Sequence, residues 1–232
     1  MFRKILKRIL FPILKPLFDL YLNRTRTYSS HNLKIKVFPG VFHPGLYIST
    51  EILLDFLGQK SLSGKTFLEL GAGSGLVSLF AVQKVANVTA SDLNTRAVEN
   101  IHKNSQINNL DLTIIHSDLF DEFPPQVFDW IIINPPYYPK KPQNEKEMAF
   151  FCGENFEYFH KLFSQLKTFS HTNSFVYMIL SQDCDLGKIE SIANSSRIKW
   201  VIEEKRQKWG EWNYIIRLVP EVEDNLFFTK TK

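Results

Sequence analysis

Cysteine is nearly missing from this chain. Cys152 and Cys184 are the only two in 232 residues. They form no C-x-x-C pair and have no histidine cluster around them. This excludes a disulfide framework and a structural zinc site, and it fits a reducing, cytoplasmic compartment. The six histidines, His31, His43, His102, His116, His160 and His171, show no ligand spacing, so no metal is expected. No uncharged apolar run approaches the ~18 residues of a membrane-spanning helix. Charges interrupt the N-terminal apolar stretch too early for a secretory signal. A phosphate-binding G-K-[ST] loop is absent, as are repeats and low-complexity tracts. Excess charge of one sign is also missing from most of the chain. The net +4 arises in residues 1–26, which carry seven basic residues and one acid, whereas the remainder holds 21 basic and 23 acidic residues. A main body at −2 disfavours extended tracking along a phosphate backbone.

What is present begins with an amphipathic segment. Phe2, Ile5, Leu6, Ile9, Leu10, Ile13, Leu14, Leu17 and Phe18 follow helical spacing over residues 1–22, with Arg3, Lys4, Lys7 and Arg8 opposite. Pro12 and Pro16 kink or divide it. The preferred reading packs its apolar face on the main domain. The sharper one is a basic helix for an anionic membrane surface, RNA or a partner, giving peripheral association. Leu33, Ile35 and Val37 then alternate with Lys34 and Lys36, which is strand patterning. Ser49-Thr50-Glu51 reads as a helix start. The resulting division is a basic helical segment (1–26), a small β element (27–45), a main domain (46–220) and a peripheral tail (221–232).

From Lys65 the pattern is β-α-β. Strands are predicted at Thr66–Leu70, Val88–Asp92, Leu112–Ile115, Phe128–Ile133 and Phe175–Leu180, with helices around Leu76–Val85, Arg96–Ser105, Gly153–Phe169 and Leu186–Asn194. Trp200–Lys205 and Trp212–Val219 are joined tightly through Trp209-Gly210-Glu211. A tight hairpin means antiparallel pairing, so the last strand runs against an otherwise parallel sheet. Trp200, Trp209 and Trp212 are read as core and cross-strand packing. The fold class is α/β, Rossmann-like, with helices on both faces.

Gly71-Ala72-Gly73-Ser74-Gly75 follows the first strand of this pattern. Glycines there let the backbone approach a nucleotide-like ligand at a helix N-terminus. A dinucleotide site wants a small residue at the sixth position, where Leu76 stands, so NAD is disfavoured. Glu69 precedes the loop and suits an ammonium. Asp92 ends the second strand, where an acid grips ribose hydroxyls. Asp118 follows the third strand and suits an exocyclic adenine amine. Each acid alone is an ordinary loop residue. In this order, at consecutive strand ends, they fit a ligand with an amino acid at one end and adenosine at the other, which describes S-adenosylmethionine. Ile131-Ile132-Ile133 then stops at Asn134-Pro135-Pro136-Tyr137. The Asn134 side-chain carbonyl and the Pro135 carbonyl can both accept from a planar –NH2, and Tyr137 can stack on the π-face bearing it.

These motifs resemble those of class I S-adenosylmethionine-dependent methyltransferases, and more closely the HemK/PrmC-like branch, over about residues 41–180. Glu69–Gly75 resembles the cofactor loop, Ser91-Asp92-Leu93-Asn94 the ribose turn, Ser117-Asp118-Leu119-Phe120 the adenine-side turn and Asn134–Tyr137 the catalytic motif. Pro44 with Ser49-Thr50-Glu51 resembles the upstream segment that lies against cofactor and substrate, and Ala149–Asn155 a region before a helix. The resemblance implies a seven-stranded sheet with an antiparallel last strand. It implies S-adenosyl-L-methionine as cofactor and S-adenosyl-L-homocysteine as product. It places Asn134, Pro135 and Tyr137 in catalysis and Thr50, Glu69, Gly71, Ala72, Gly73, Gly75, Asp92, Leu93, Asp118, Leu119 and Asn134 at the cofactor.

The chain departs from the release-factor enzymes of that branch. Their sizeable helical N-terminal domain is replaced by a short basic helix and a β element, and Gly45 stands where an arginine is usual. The expected activity is methyl transfer to a planar –NH2 nitrogen of a macromolecule. A glutamine side-chain amide of a protein is the first reading. An adenine N6 or guanine N2 in rRNA, tRNA or DNA is the second, and a non-catalytic cofactor-binding module tethered by its N-terminal helix is the third.

Overall fold

A computed structural model describes residues 21–221. Most of the expected N-terminal helix and all of the tail from residue 222 lie outside the described residues. A hairpin opens the described chain: β1 (Arg26–Ser30) pairs antiparallel with β2 (Leu33–Val37) through a turn in which His31 and Asn32 take positive φ. The alternation read in the sequence is realised. Leu33, Ile35 and Val37 are buried, and Lys34 and Lys36 are not. A 3-10 turn (Pro44–Leu46) leads into α1 (Ile48–Gly58). That helix begins one residue before the predicted Ser49, with Tyr47 at its N-cap and no side chain capping it.

The α/β body follows as β3 (Thr66–Leu70), α2 (Leu76–Gln83), β4 (Asn87–Asp92), α3 (Thr95–Asn108), β5 (Thr113–His116) and β6 (Phe128–Ile133). It continues with α4 (Glu145–Met148), α5 (Glu157–Gln165), β7 (Ser170–Ser181), α6 (Leu186–Ser195), β8 (Ile198–Lys208) and β9 (Glu211–Pro220). Seven strands form one sheet in the order β5-β4-β3-β6-β7-β9-β8. β9 alone runs against the rest, paired antiparallel on both sides. The last strand is therefore antiparallel, as the tight hairpin required, and it lies inside the sheet between β7 and β8.

Several boundaries shift for physical reasons. The helix expected from Gly153 starts only at Glu157, because Gly153 (φ 89) and Phe156 (φ 60) hold the left-handed region that breaks a helix. It tightens into a 3-10 turn at Leu166–Phe169. Helix α3 runs on to Asn108, where Asn109 takes the left-handed C-cap. Trp209 is a correction. At 76% exposed it forms, with Gly210, the two-residue tip of the β8–β9 hairpin, both at positive φ. Trp200 does pack against the core, and Trp212 lies under the Lys205 ammonium at 4.4 Å.

The central strands are buried on both faces, as parallel strands between helix layers must be. Leu68, Ile131, Ile133, Val176 and Met178 meet α5 and α6 on one face. Phe67, Trp130, Ile132, Tyr177 and Ile179 meet α1, α2 and the β1–β2 hairpin on the other. The hairpin is also held by polar contacts. Asn100, Asn104 and Asn108, one turn apart on α3, accept from the backbone N–H of Phe38, Lys36 and Lys34 at 2.8, 2.8 and 2.9 Å. Their amides donate back to the Lys36 and Lys34 carbonyls. Three side chains on a helix thus pair with the edge of β2 as a strand would. Among the described residues no helix is long and apolar enough to cross a membrane.

Candidate active site

The carboxyl ends of β3, β4, β5 and β6 open on one cavity of about 1890 Å³. This is where ligands bind in open α/β sheets. Gly71, Gly73 and Gly75 all take positive φ between β3 and α2. At Gly75 a side chain would also meet Ile101 of α3 at 3.1 Å. Gly75 therefore faces α3 and, unlike Gly71, Ala72 and Gly73, does not line the cavity.

Glu69 is 5% exposed. Its Oε2 accepts from the Ser78 backbone N–H at 2.7 Å and from the Ser78 hydroxyl. Burial pushes its carboxyl up to about 8, against the pull of the Ser78 bonds. Asp92 spans the next turn. One oxygen accepts from Gly73 N and the other from Asn94 N, each at 2.8 Å. Burial raises the Asp92 pKa as well, with these bonds opposing. Asp118 is engaged by the Lys161 ammonium at 2.5 Å, and the same ammonium reaches Asp121 at 2.6 Å. Lys161 and Tyr158 of α5 line the cavity beside it. Neither was singled out in the sequence, where both read as ordinary members of a predicted helix.

At the end of β6, Asn134 Nδ2 donates to Ser49 Oγ of α1 at 3.2 Å. This bond directs the amide nitrogen toward α1 and leaves the Oδ1 acceptor for the cavity that Asn134 lines. The turn is clasped from behind. Both Tyr137 N and Tyr138 N donate to the Phe150 carbonyl, at 3.2 and 3.0 Å, and Cys152 N donates to Tyr138 O. The chain between, including α4, leaves the turn and returns alongside it. The Tyr137 and Tyr138 rings lie 4.7 Å apart at 54°. Burial, first, and the neighbouring Tyr138 keep the Tyr137 hydroxyl protonated far above its ordinary range.

Of the predicted residues, Thr50, Glu69, Gly71, Ala72, Gly73, Asp92, Leu93, Asp118, Leu119, Asn134, Pro135 and Tyr137 all line this cavity. An aromatic wall also lines the cavity. Phe42 and Tyr47 stack at 4.4 Å and 22°, and Phe150 approaches them at 6.3 and 5.8 Å. Phe150 lies more than a hundred residues beyond Phe42 and Tyr47 and none of the three is specified by a motif, so only the fold could reveal the wall.

The sequence profile of the methyltransferase small domain matches residues 32–154, from the hairpin to the segment that clasps Asn134. The chain belongs to this family. Within the methyltransferase small domain it is similar to a Methanocaldococcus jannaschii protein named as a protein N5-glutamine methyltransferase, 32% identical over 108 residues, covering 46% of this chain and 52% of the relative. It is similar also to ribosomal RNA small subunit methyltransferase C of Haemophilus influenzae, 35% identical over 130 residues, covering 53% of this chain and 38% of the relative. The chain thus spans about half, or less, of the length of these curated relatives. A Pyrococcus furiosus methyltransferase structure shares the fold, with TM-score 0.63, 19% identity and coverage of 90% of this chain and 98% of that one.

The methyltransferase small domain uses S-adenosylmethionine. The residues here fit it. Glu69 is a buried carboxylate with no cation bonded to it among the described residues, and an ammonium would satisfy it. Asp92 keeps lone pairs free beside its two backbone bonds, since an ionised carboxylate has about four acceptor sites.

Proposed function

We propose that this chain is an S-adenosylmethionine-dependent N-methyltransferase acting on the exocyclic amine of a base in RNA. The observation that carries the choice of acceptor is the wall of Phe42, Tyr47 and Phe150 in the cavity that Asn134 also lines. Planar aromatic surfaces hold bases by stacking, worth about 1–3 kcal/mol per base, and three such rings offer far more area than the small face of a glutamine amide, which Tyr137 alone can cover. Lys140 and Lys141, beside the Asn-Pro-Pro-Tyr turn and exposed, supply positive charge for the backbone. The +6 segment at residues 1–26 adds to it.

Bound S-adenosylmethionine supplies an electrophilic methyl group on a cationic sulfur. Asn134 Oδ1 and the Pro135 carbonyl accept the two N–H bonds of the acceptor's –NH2. They draw positive charge onto that nitrogen as its lone pair leaves the π-system. Ser49 fixes the Asn134 amide in the accepting orientation. The Phe150 carbonyl, bonded to two consecutive amides of the turn, holds the clamp in place. This is positioning with electrostatic stabilisation: the cationic nitrogen formed on methylation is acidic and gives its extra proton to water, so no strong base is required.

A second reading, a glutamine amide as acceptor, is favoured by the Methanocaldococcus jannaschii relative. The same clamp would hold that nitrogen. Mass spectrometry of RNA and protein from cells lacking the enzyme separates the two. Loss of a methylated nucleoside supports the RNA reading, and loss of a methylglutamine peptide overturns it.

A further inference from the structure

Helix α2 is bonded from the Leu79 N–H to the Gly75 carbonyl onward, so the Ser78 N–H is one of the orphan donors of its first turn, and Glu69 caps it at 2.7 Å. Ser74 stands just before the helix and is 3% exposed, so its carbonyl has little access to water. The Asn104 amide supplies a donor to it at 2.8 Å. Asn104 is itself fully buried and also holds β2, accepting from Lys36 N and donating to Lys36 O.

We infer that Asn104 is a positioning residue for the cofactor. The side chain that satisfies the buried Ser74 carbonyl of the glycine loop also holds Lys36 of β2, and it thereby couples docking of the β1–β2 hairpin to the shape of that loop. The hairpin is then part of the cofactor-binding unit, not an appended element. The continuation of β2 supports this. Asn94 donates to Gly40 O at 3.3 Å and Arg96 to Pro39 O at 3.2 Å, and Phe42 lies over Gly73, 3.6 Å from where a side chain would begin. Without Asn104, the buried Ser74 carbonyl would lose its donor, and the loop would have to shift to satisfy it. The inference rests on Gly71–Gly75 being the cofactor loop.

The neighbouring asparagine provides the control. Asn108 makes the same kind of bonds to Lys34 without touching the loop. S-adenosylmethionine affinity is measured by calorimetry on the full chain, with thermal stability alongside. Asn104→Ala and Asn104→Asp are expected to weaken the cofactor about tenfold, the scale of one buried hydrogen bond. Asn108→Ala is expected to lower the melting temperature comparably while leaving affinity within about twofold. Equal weakening by both positions, or by neither, overturns the coupling. Asp92→Ala separates this failure from a wrong cofactor site, because unchanged affinity in that variant would mean the loop does not hold the ligand. If the Asn104 variants do not fold, the wild-type chain still decides. Linkage is reciprocal, so cofactor must slow hydrogen exchange at the Lys36 amide more than at Lys34. Equal protection at both, or none, overturns the inference.

Discussion

The two halves of the cavity are built differently. The cofactor half rests on strand ends. Glu69 is buried and Asp92 half-buried, both bonded to backbone, and they and the loop between β3 and α2 are close in sequence to the strands that place them. The acceptor half is assembled from distant pieces. Ser49 on α1, Asn134 after β6, Tyr47, and Phe150 on the returning segment meet only in the fold, and Phe42 bridges from them to Gly73 of the cofactor loop. The first half is rigid because parallel strands fix its termini. The second depends on side-chain contacts between loops, which suits a region that, on the proposed function, must admit an RNA base. Substitutions in one half should therefore leave the other nearly untouched.

The sharpest division is expected at Asn134. Asn134→Ala should lower methyl transfer about 10²–10³-fold, the scale for removing one preorganised group at the reacting centre. Cofactor affinity, read by calorimetry, should stay within about threefold. Parallel loss of both would erase the boundary between the halves.

The cofactor half should carry the pH dependence. Glu69 ionises at about 8 in the free protein, against 4.5 ordinarily, mainly through burial. An ammonium beside it favours the charged form, so binding near neutral pH must expel a proton. Affinity should rise by up to about tenfold per pH unit below pH 8 and flatten above it. Calorimetry in buffers of different ionisation heats counts the proton, and Glu69→Gln should abolish the release. Without ligand the sign reverses. The unfolded chain ionises first, so this group's contribution to stability is complete below about pH 4.5 and is lost as pH rises through about 8.

In the acceptor half, Phe150→Ala should raise the acceptor KM about tenfold if a base stacks there, with cofactor affinity unchanged. Methyl incorporation into RNA from cells lacking the enzyme measures the first. A smaller effect is expected at Ser49. Ser49→Ala should reduce turnover about fivefold, the value of one exposed-to-buried hydrogen bond. Asn134→Asp, whose two oxygens need no orienting, should make the same change silent. A full Ser49 effect in that background would show that Ser49 acts elsewhere.

Legibility followed the same division. Glu69, the glycine loop, Asp92 and Asn134 could be read because a strand end converts sequence order directly into position: each residue follows a short apolar run, and parallel neighbours align those runs at one edge. Gly75 shows the limit. It shares the motif and the positive φ, yet its partner is Ile101, a helix packing contact that spacing alone does not reveal. The asparagines of α3 read as polar positions on an amphipathic helix. Their four-residue spacing became meaningful only once β2 lay along them with its edge N–H groups unpaired. Residue order thus determined the sheet, its antiparallel last strand and the acids at its rim, because periodicity and turn chemistry act locally. Tertiary structure alone decided what surrounds the acceptor, because Ser49 meets Asn134 across 85 residues and Phe42 meets Phe150 across more than a hundred, and no local pattern encodes a neighbour that far away.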